Sequence, residues 1–450
     1  MADIKKGIHS SFKIITLGCK VNHCDSAYME NSFIDAGLKN VSDDAVADLT
    51  IINTCIVTQR ASYQSRQAIR KAIRENPSGR IAAVGCYGQV FPEELSGIKG
   101  LDLIVGNSDK PRLSSILNFS DDTERPLIIA KDFGKDTTFD ALPMKNFMNR
   151  ARAFLKIQDG CESFCSYCIV PYARGPLRSL EPVKVLRALE NFSNEGYREV
   201  VLTGVHLGKY GVGLGKRIDI KGLLRMIGKE HFPVRIRLSS LEPNEITQEL
   251  IEMVASEDWL CRHFHIPLQS GDDNILRRMN RRYSSRQFAK LIMKIRELLP
   301  RAAIGADIMA GFPGEDTGAY RNSLRLLEDL PVSYLHIFPF SPRRGTPAAD
   351  FPDRVNEKIV KERAGELRKL GRLKREIFNN SCIGEDFPVI MEGWFSNNMD
   401  LVRGLSDNYL KVVFPASRLI RDSIIRVRVE GVDEEMVFGK ISQPAMLRGL

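Results

Sequence analysis

Short apolar runs alternate with helical segments along most of this 450-residue chain, and no other feature constrains its fold as strongly. The runs contain few polar residues, which is typical of strands in a parallel sheet whose two faces are covered by helices. We therefore predict an α/β protein. At about 150 residues per domain, a chain of this length holds two to four domains.

Residues 1–117 read as repeated strand-and-helix units and are predicted to form an N-terminal parallel α/β domain. Apolar runs at residues 12–17, 49–53 and 81–84 are each followed, two residues later, by a cysteine. Residues 118–150 are polar and carry two prolines, so they are predicted to be a linker with room for one strand.

Residues 151–378 contain six further βα units, fewer than in the eight-unit TIM barrel, and are predicted to form an open (βα)6 barrel. The predicted strands span residues 153–157, 200–203, 234–238, 263–268, 302–308 and 334–338. Barrels of this kind place their sites at the carboxyl ends of the strands, so the loops that follow the strands are expected to surround one pocket. A basic amphipathic helix is predicted at residues 355–378.

Residues 379–450 change to short strands without helices, which predicts a small C-terminal β-barrel. The predicted strands span residues 387–392, 409–414, 424–429 and 436–441.

Basic residues are concentrated in the middle of the chain. The formal net charge is +9, and residues 143–378 hold 40 Lys and Arg against 28 Asp and Glu. Such an excess is a footprint for a polyanion, although a solvated face explains the basic helix at least as well.

The location of the protein follows from what its sequence lacks. No apolar run reaches the ~18 residues needed to span a bilayer, and the first residues have no signal-peptide core. We therefore expect a cytoplasmic protein without a membrane partner. In that compartment stable disulfides are rare, so the nine cysteines must serve packing, catalysis or metal binding.

Cys161, Cys165 and Cys168 follow the first barrel strand closely and offer three thiolates to one compact site. A closed structural zinc site and a simple [4Fe–4S] centre each take four protein ligands. A cluster held by three leaves one iron open for a small molecule. The alternative is a zinc knuckle with a distant fourth ligand.

Cys19, Cys55 and Cys86 are separated by 36 and 31 residues, each about one βαβ unit. Each follows a predicted strand at its carboxyl end, where parallel sheets bind ligands, so the three are expected to converge on a second cluster. The alternative is three independent buried thiols. The remaining cysteines are predicted to pack in the core: Cys24, Cys261 and Cys382.

These motifs together resemble the methylthiotransferases of the radical S-adenosylmethionine superfamily over nearly the whole chain. The resemblance rests on residues 17–22 (Leu-Gly-Cys-Lys-Val-Asn), 53–55 (Asn-Thr-Cys), 84–87 (Val-Gly-Cys-Tyr), 158–161 (Gln-Asp-Gly-Cys), 174–175 (Arg-Gly), 267–271 (Pro-Leu-Gln-Ser-Gly) and 311–315 (Gly-Phe-Pro-Gly-Glu). It implies two [4Fe–4S] clusters, S-adenosylmethionine as cofactor and an RNA-binding C-terminal barrel called TRAM.

By this resemblance one cysteine triad holds an auxiliary cluster and the other holds the radical cluster. The auxiliary ligands are Cys19, Cys55 and Cys86, and the radical ligands are Cys161, Cys165 and Cys168. From their positions on barrel-top segments, four residues are expected to contact S-adenosylmethionine: Tyr167, Thr203, Ser239 and Gln269. No side chain beyond the cluster ligands is expected to be catalytic.

The motif at residues 17–22 resembles the subfamily that methylthiolates C2 of N6-threonylcarbamoyladenosine at tRNA position 37. Its partners would be the tRNA anticodon stem-loop, an electron donor such as flavodoxin or ferredoxin, and a sulfur donor. Two other subfamilies remain open, one acting on isopentenyladenosine in tRNA and one on an aspartate of a ribosomal protein. A noncatalytic, zinc-containing RNA-binding protein is the alternative of a different class.

Two groups of basic residues are candidates for substrate contacts. An arginine on a barrel-top loop is expected to pair with the threonyl carboxylate, from among Arg174, Arg178, Arg343 and Arg344. Any RNA contact on the C-terminal barrel is expected from Arg403, Lys411 and Arg418.

Overall fold

The computed structural model describes residues 10–42, 44–116, 126–134, 139, 151–215, 218–395, 398–418, 420, 423–433 and 435–443. The described chain forms an α/β protein with an N-terminal parallel sheet, an open barrel of parallel strands and a β-rich C-terminal unit, as predicted. No helix in this part of the chain combines the length and apolarity that a bilayer crossing requires.

The N-terminal unit is a six-stranded, all-parallel sheet in the order β2-β1-β3-β4-β5-β6. Its strands are β1 (Ser11–Thr16), β2 (Lys39–Asn40), β3 (Leu49–Thr54), β4 (Arg80–Gly85), β5 (Leu103–Val105) and β6 (Leu127–Ile129). Neighbouring residues of β3 enter different core clusters, Ile51 on one face and Ile52 on the other. Helices therefore cover both faces, which explains the uninterrupted apolar runs.

Helices of the N-terminal unit are α1 (Lys20–Asp35), α2 (Gln59–Glu75), α3 (Cys86–Val90), α4 (Pro92–Ser96) and α5 (Leu113–Ile116). Strand β6 lies within the predicted linker and pairs with β5, so that segment completes the sheet. Most of the other linker residues lie outside the described part of the chain.

Six parallel strands form the barrel as two adjacent sheets, β11-β10-β7 and β12-β13-β14. These strands are β7 (Ala153–Lys156), β10 (Glu199–Thr203), β11 (Arg235–Leu238), β12 (His263–Gln269), β13 (Ala303–Ala310) and β14 (Tyr334–Pro339). A short antiparallel pair, β8 (Gln158–Asp159) and β9 (Arg178–Ser179), follows the first strand. All six predicted strands are present, and the barrel is open between β7 and β14.

Helices surround the barrel and connect its strands. They are α6 (Val170–Arg174), α7 (Pro182–Asn194), α8 (Ile220–Glu230), α9 (Gln248–Ser256), α10 (Asp273–Arg278), α11 (Ser285–Leu298), α12 (Thr317–Asp329) and α13 (Glu357–Asn380). Helix α13 is the predicted basic helix, and the side chain of Asn356 caps it by accepting a hydrogen bond from the backbone of Lys358.

The C-terminal unit is a closed five-stranded barrel in the order β15-β16-β17-β19-β18. Its strands are β15 (Asp386–Phe395), β16 (Asn398–Ser406), β17 (Lys411–Pro415), β18 (Ile424–Asp433) and β19 (Met436–Gln443). The sequence predicted four of them and missed β16.

A buried ion group joins the two barrels. Glu199 accepts hydrogen bonds from Arg235 at 2.7 Å and from Arg237 at 2.8 Å, and all three side chains are almost fully buried. The same guanidinium groups donate to backbone carbonyls of the C-terminal barrel, including that of Asp407 at 2.8 Å. The C-terminal unit therefore covers the amino end of the open barrel.

Candidate active site

Three cysteines stand at the carboxyl ends of neighbouring strands of the N-terminal sheet. Cys19 follows β1, Cys55 follows β3 and Cys86 follows β4, and these strands are adjacent in the sheet. Gly18 has a φ of +96°, and a Cβ at this position would lie 2.7 Å from the Cβ of Cys55 and 2.8 Å from its Sγ. The backbone before Cys19 therefore touches Cys55, and only glycine fits there.

These three thiols also interact electrostatically. Burial, together with the negative charges of Cys86 and Cys19, raises the pKa of Cys55 to about 11. Asn107 donates a hydrogen bond from its Nδ2 to the Sγ of Cys86 at 3.3 Å. Three thiolates at one place need a cationic soft-metal group to hold them together, so this donor set fits an iron–sulfur cluster.

Cys161, Cys165 and Cys168 lie in the loop between β8 and α6, beyond the carboxyl end of β7. The loop is tightly folded, since the backbone N–H of Cys168 donates to the carbonyl of Cys165 at 2.9 Å. Burial, together with the negative charges of Cys165 and Cys161, raises the pKa of Cys168 to about 12. The structure thus brings these thiols together as well, in a donor set that leaves room for one non-protein ligand.

Two cationic side chains stand beside this second triad. The Nδ1 of His206 lies 3.6 Å from the Sγ of Cys161, and its Nε2 lies 2.8 Å from Glu245. Burial would lower the pKa of His206, but its bonds to Cys161 and Glu245 outweigh burial and raise it to about 9. Arg281 donates to the Sγ of Cys165 at 3.3 Å and also pairs with Glu242.

Neither His206 nor Arg281 is among the site residues predicted from the sequence. The sequence signal that could have identified His206 is its position in the loop after a barrel strand. Together with Glu242 and Tyr283, both residues line a polar cleft beside Cys165.

The two triads lie on either side of one interface between the N-terminal sheet and the barrel. Cys86 packs in the same core cluster as Ile169 and Ala173 of the barrel. Asn107, which bonds Cys86, also donates to the carbonyl of Ala173 at 2.7 Å. Ala173 lies five residues after Cys168, so a short span of α6 connects the sites.

Comparison with known proteins agrees with this arrangement. Residues 11–106 match the family described as Uncharacterized protein family UPF0004, and residues 155–327 match the radical SAM superfamily. The threonylcarbamoyladenosine tRNA methylthiotransferase MtaB of Bacillus subtilis is 36% identical, with 92% of each chain covered. This chain belongs to the methylthiotransferase family of radical S-adenosylmethionine enzymes.

Other members of the methylthiotransferase family show the same near-complete coverage. MtaB of Aquifex aeolicus is 36% identical over 88% of this chain and 95% of its own. A tRNA-2-methylthio-N(6)-dimethylallyladenosine synthase of Moorella thermoacetica is 30% identical over 96% and 98%. The radical S-adenosylmethionine methyltransferase TsrM of Kitasatospora setae shares the fold, with a TM-score of 0.55 at 15% identity and coverage of 76% of this chain and 75% of that one.

The residues expected to contact S-adenosylmethionine in this family member all face the top of the barrel. Thr203 and Gln269 end β10 and β12, and Ser239 follows β11. The Oγ of Ser239 is buried and has no hydrogen-bond partner among the described residues, so it is available to a ligand. Gln269 has a φ of +65° beside a β-bulge, and Tyr167 packs edge-on against Phe312 at 6.4 Å.

Three of the four arginines expected to meet a substrate carboxylate are engaged inside the protein. Arg174 is buried and donates to Asp25 at 2.8 Å, and Arg178 donates to the carbonyl of Arg174 at 2.9 Å. Arg343 donates to Ser62 at 2.8 Å. Arg344 is 70% exposed and lies within 3.7 Å of Glu93. The cysteines expected in the core, Cys24, Cys261 and Cys382, are all buried.

Proposed function

We propose that this enzyme replaces the C2–H of N6-threonylcarbamoyladenosine, at tRNA position 37, with a methylthio group. The observation that carries this proposal is the placement of two cysteine triads on one interface, one of them beside a polar barrel-top cleft. Relatives named for this reaction, at 36% identity over most of the chain, support the choice of substrate.

In this proposal the sheet triad, Cys19, Cys55 and Cys86, holds an auxiliary [4Fe–4S] cluster. The loop triad, Cys161, Cys165 and Cys168, holds the radical cluster. When bound, the two clusters and S-adenosylmethionine supply the radical and the sulfur that an unactivated aromatic C–H requires. The chain's own residues position these groups and exclude water. The proposed contacts for S-adenosylmethionine are the buried Oγ of Ser239 and the side chain of Gln269, whose backbone has a positive φ beside a β-bulge.

His206 and Arg281 are proposed to balance negative charge at the loop triad. Each places a positive group beside a thiol sulfur, which favours the thiolate form that ligates a metal. Glu245 and Glu242 hold these two cations in place from the opposite side. The sulfur atoms of Cys161 and Cys165 thus each have a cationic partner, and the polar cleft beside them stays open.

Several partners and boundaries complete the proposal. The tRNA anticodon stem-loop is the substrate partner, an electron donor and a sulfur donor are separate proteins, and the reaction takes place in the cytoplasm. The proposed domains span residues 1–117, 151–378 and 379–450, joined by the linker 118–150. On the C-terminal barrel, Lys411 and Arg418 are exposed and Arg403 is 54% exposed, as an RNA contact requires.

Nucleoside analysis of tRNA from cells with and without the gene tests the reaction. We expect 2-methylthio-N6-threonylcarbamoyladenosine only when the gene is present. A loss of the methylthio derivative of isopentenyladenosine instead would assign the chain to the other tRNA subfamily. Anaerobic iron and sulfide analysis tests the clusters separately, and zinc without sulfide would favour a noncatalytic RNA-binding protein.

A further inference from the structure

The inner wall of the barrel is polar on the side of β12, β13 and β14. Alternate residues of these strands, such as Ile266 and Ile304, pack outward in the main core cluster. Residues of the opposite parity therefore face the barrel interior. Among these, His265 places its Nε2 2.8 Å from Asp307, and His336 places its Nδ1 3.4 Å from the same carboxylate.

This His265–Asp307–His336 wall is packed at its lower end and partly exposed at His336. The Oη of Tyr334 lies 3.1 Å from the Nδ1 of His265 and 2.8 Å from His263, which stacks on Tyr409 of the C-terminal barrel. By contrast, the side chain of His336 is 48% exposed. The interior space beside this wall, called the recess here, is therefore bordered below by Tyr334 and His263 and reaches solvent at His336.

Lys20 approaches the barrel interior from the N-terminal unit. It is the first residue of α1, directly after Cys19, and it shares a helix face with Cys24 and Ala27, which pack into the barrel core. Its charged neighbours are the barrel residues Arg152, Arg237 and Glu199. Lys20 is exposed, and within the described part of the chain no acceptor takes a hydrogen bond from its ammonium group.

The guanidinium groups near Lys20 have acidic partners of their own: Glu199 pairs with Arg235 and Arg237, and Glu392 pairs with Arg152. The unpaired ammonium group of Lys20 therefore makes the recess attractive to an anion. The opposite wall offers imidazole and carboxylate groups that bond to neutral N–H and hydroxyl groups. An apolar substituent would offer no partner to the ammonium group of Lys20, which is costly if that group is shut off from water.

We propose that this recess binds the N6 substituent of the target adenosine, with Lys20 pairing with its carboxylate and the His265–Asp307–His336 wall receiving its ureido and hydroxyl groups. The inference rests on the proposed function, which supplies a substituent bearing one carboxylate. It assigns to Lys20 the role first expected of a barrel-top arginine. Lys20 would then determine specificity from a position adjacent to an auxiliary-cluster ligand.

The test compares two anticodon stem-loop RNAs that differ only in the carboxylate. One carries N6-threonylcarbamoyladenosine, and the other carries the corresponding threoninamide, in which an amide replaces the acid. Holoenzyme with both clusters loaded is used as wild type, Lys20→Gln, Lys20→Arg and His336→Gln. Lys39→Gln, an exposed lysine on strand β2, is the matched control.

We expect wild type and Lys39→Gln to prefer the acid by roughly tenfold or more in kcat/KM, because a charge-assisted bond is lost with the amide. Lys20→Gln should lose this preference mainly through KM, and Lys20→Arg should keep most of it. His336→Gln should weaken binding of both RNAs by a similar factor, since it contacts the part that they share.

The outcomes separate the inference from the proposed function. If wild type methylthiolates neither RNA, the proposed substrate is wrong. If wild type prefers the acid and Lys20→Gln keeps that preference with both clusters intact by electron paramagnetic resonance, the role of Lys20 is overturned. If Lys20→Gln does not load its auxiliary cluster, equilibrium binding of the two RNAs decides, and an unchanged preference of this variant for the acid again overturns the inference.

Discussion

The two cysteine triads of this enzyme are built in different ways. The loop triad lies within eight consecutive residues and has two cationic partners, His206 and Arg281. The sheet triad is gathered from three strands, and its hydrogen-bond donor at Cys86 is the neutral amide of Asn107. One site therefore depends on a short loop and its charges, whereas the other depends on the whole N-terminal sheet.

The two triads therefore depend on the fold to different degrees. A site made by one loop can change its surroundings without disturbing the fold. A site made by three strands is fixed by strand order and by the close approach of Gly18 to Cys55. We expect substitutions at the two triads to affect different steps of the reaction.

Removing a loop thiol should have the largest effect. In our proposal Cys165→Ala leaves only two ligands for the radical cluster, so reductive cleavage of S-adenosylmethionine should fall below detection. The measurement is anaerobic formation of 5′-deoxyadenosine with a chemical reductant. Cys382→Ala, a buried cysteine outside both triads, is the control and should keep normal cleavage.

Removing a thiol of the sheet triad should separate methylthiolation from cleavage of S-adenosylmethionine. Cys55→Ala should lose methylthiolation while keeping part of the cleavage activity, because only the sulfur-holding site is damaged. Product analysis of the RNA and of 5′-deoxyadenosine in one assay shows both effects, with Cys24→Ala as the control in the same unit. Full methylthiolation by a Cys55→Ala enzyme that lacks the auxiliary cluster would contradict the assignment.

The joint between the two barrels should be sensitive to the loss of one charge. Glu199→Gln leaves Arg235 and Arg237 buried without their anion, and we expect the free energy of unfolding to fall by about 3–5 kcal/mol. Urea unfolding of Glu199→Gln beside the exposed variant Glu190→Gln measures this. Equal stability of the two variants would mean that the buried pair contributes little.

The buried ion group between the two barrels should also make the free energy of unfolding depend on pH. Burial would raise the pKa of Glu199, but Arg237 and Arg235 outweigh it and hold the pKa far below its ordinary value. A lowered pKa in the folded state gives stability that is present above the ordinary pKa near ~4.3 and is lost as the pH falls below it. The difference in the free energy of unfolding between wild type and Glu199→Gln should therefore become smaller in acid. Urea unfolding at several pH values measures it.

The smallest expected effect concerns RNA affinity. If the exposed Lys411 contacts a phosphate, Lys411→Gln should weaken tRNA binding modestly and reduce the slope of log affinity against log salt by about 1. Fluorescence anisotropy at several salt concentrations measures the slope, and Lys99→Gln is an exposed control. An unchanged slope would remove Lys411 from the RNA surface.

Much of the fold was predictable because apolar runs report parallel strands directly. The six barrel strands and the three cysteine-bearing strands of the N-terminal sheet were all found in this way. Strand β16 was missed because Asp400, Arg403 and Gly404 interrupt its apolar pattern, and a register shift against β15 disturbs the alternation further. Closed small barrels tolerate such strands, since only one face is buried.

The contacts of charged side chains were much harder to predict. Arg174 pairs with Asp25, 149 residues away, and this pairing withdraws it from the substrate. Lys20 belongs to the motif at residues 17–22, yet only the packing of α1 against the barrel shows that it lies near the charged barrel residues Arg237 and Glu199. Position in a loop indicates which side chains reach the site, but three-dimensional pairing decides which of them are free.

Cys19 and Lys20 are consecutive residues at the start of one helix. In our proposal the first holds the sulfur-bearing group and the second recognises the base to be modified. A mutation that shifts this helix start would alter both functions at once, so a lineage could not easily exchange one substrate for another by small backbone changes here. Divergence should instead proceed by replacing the Lys20 side chain while the backbone around it is inherited intact.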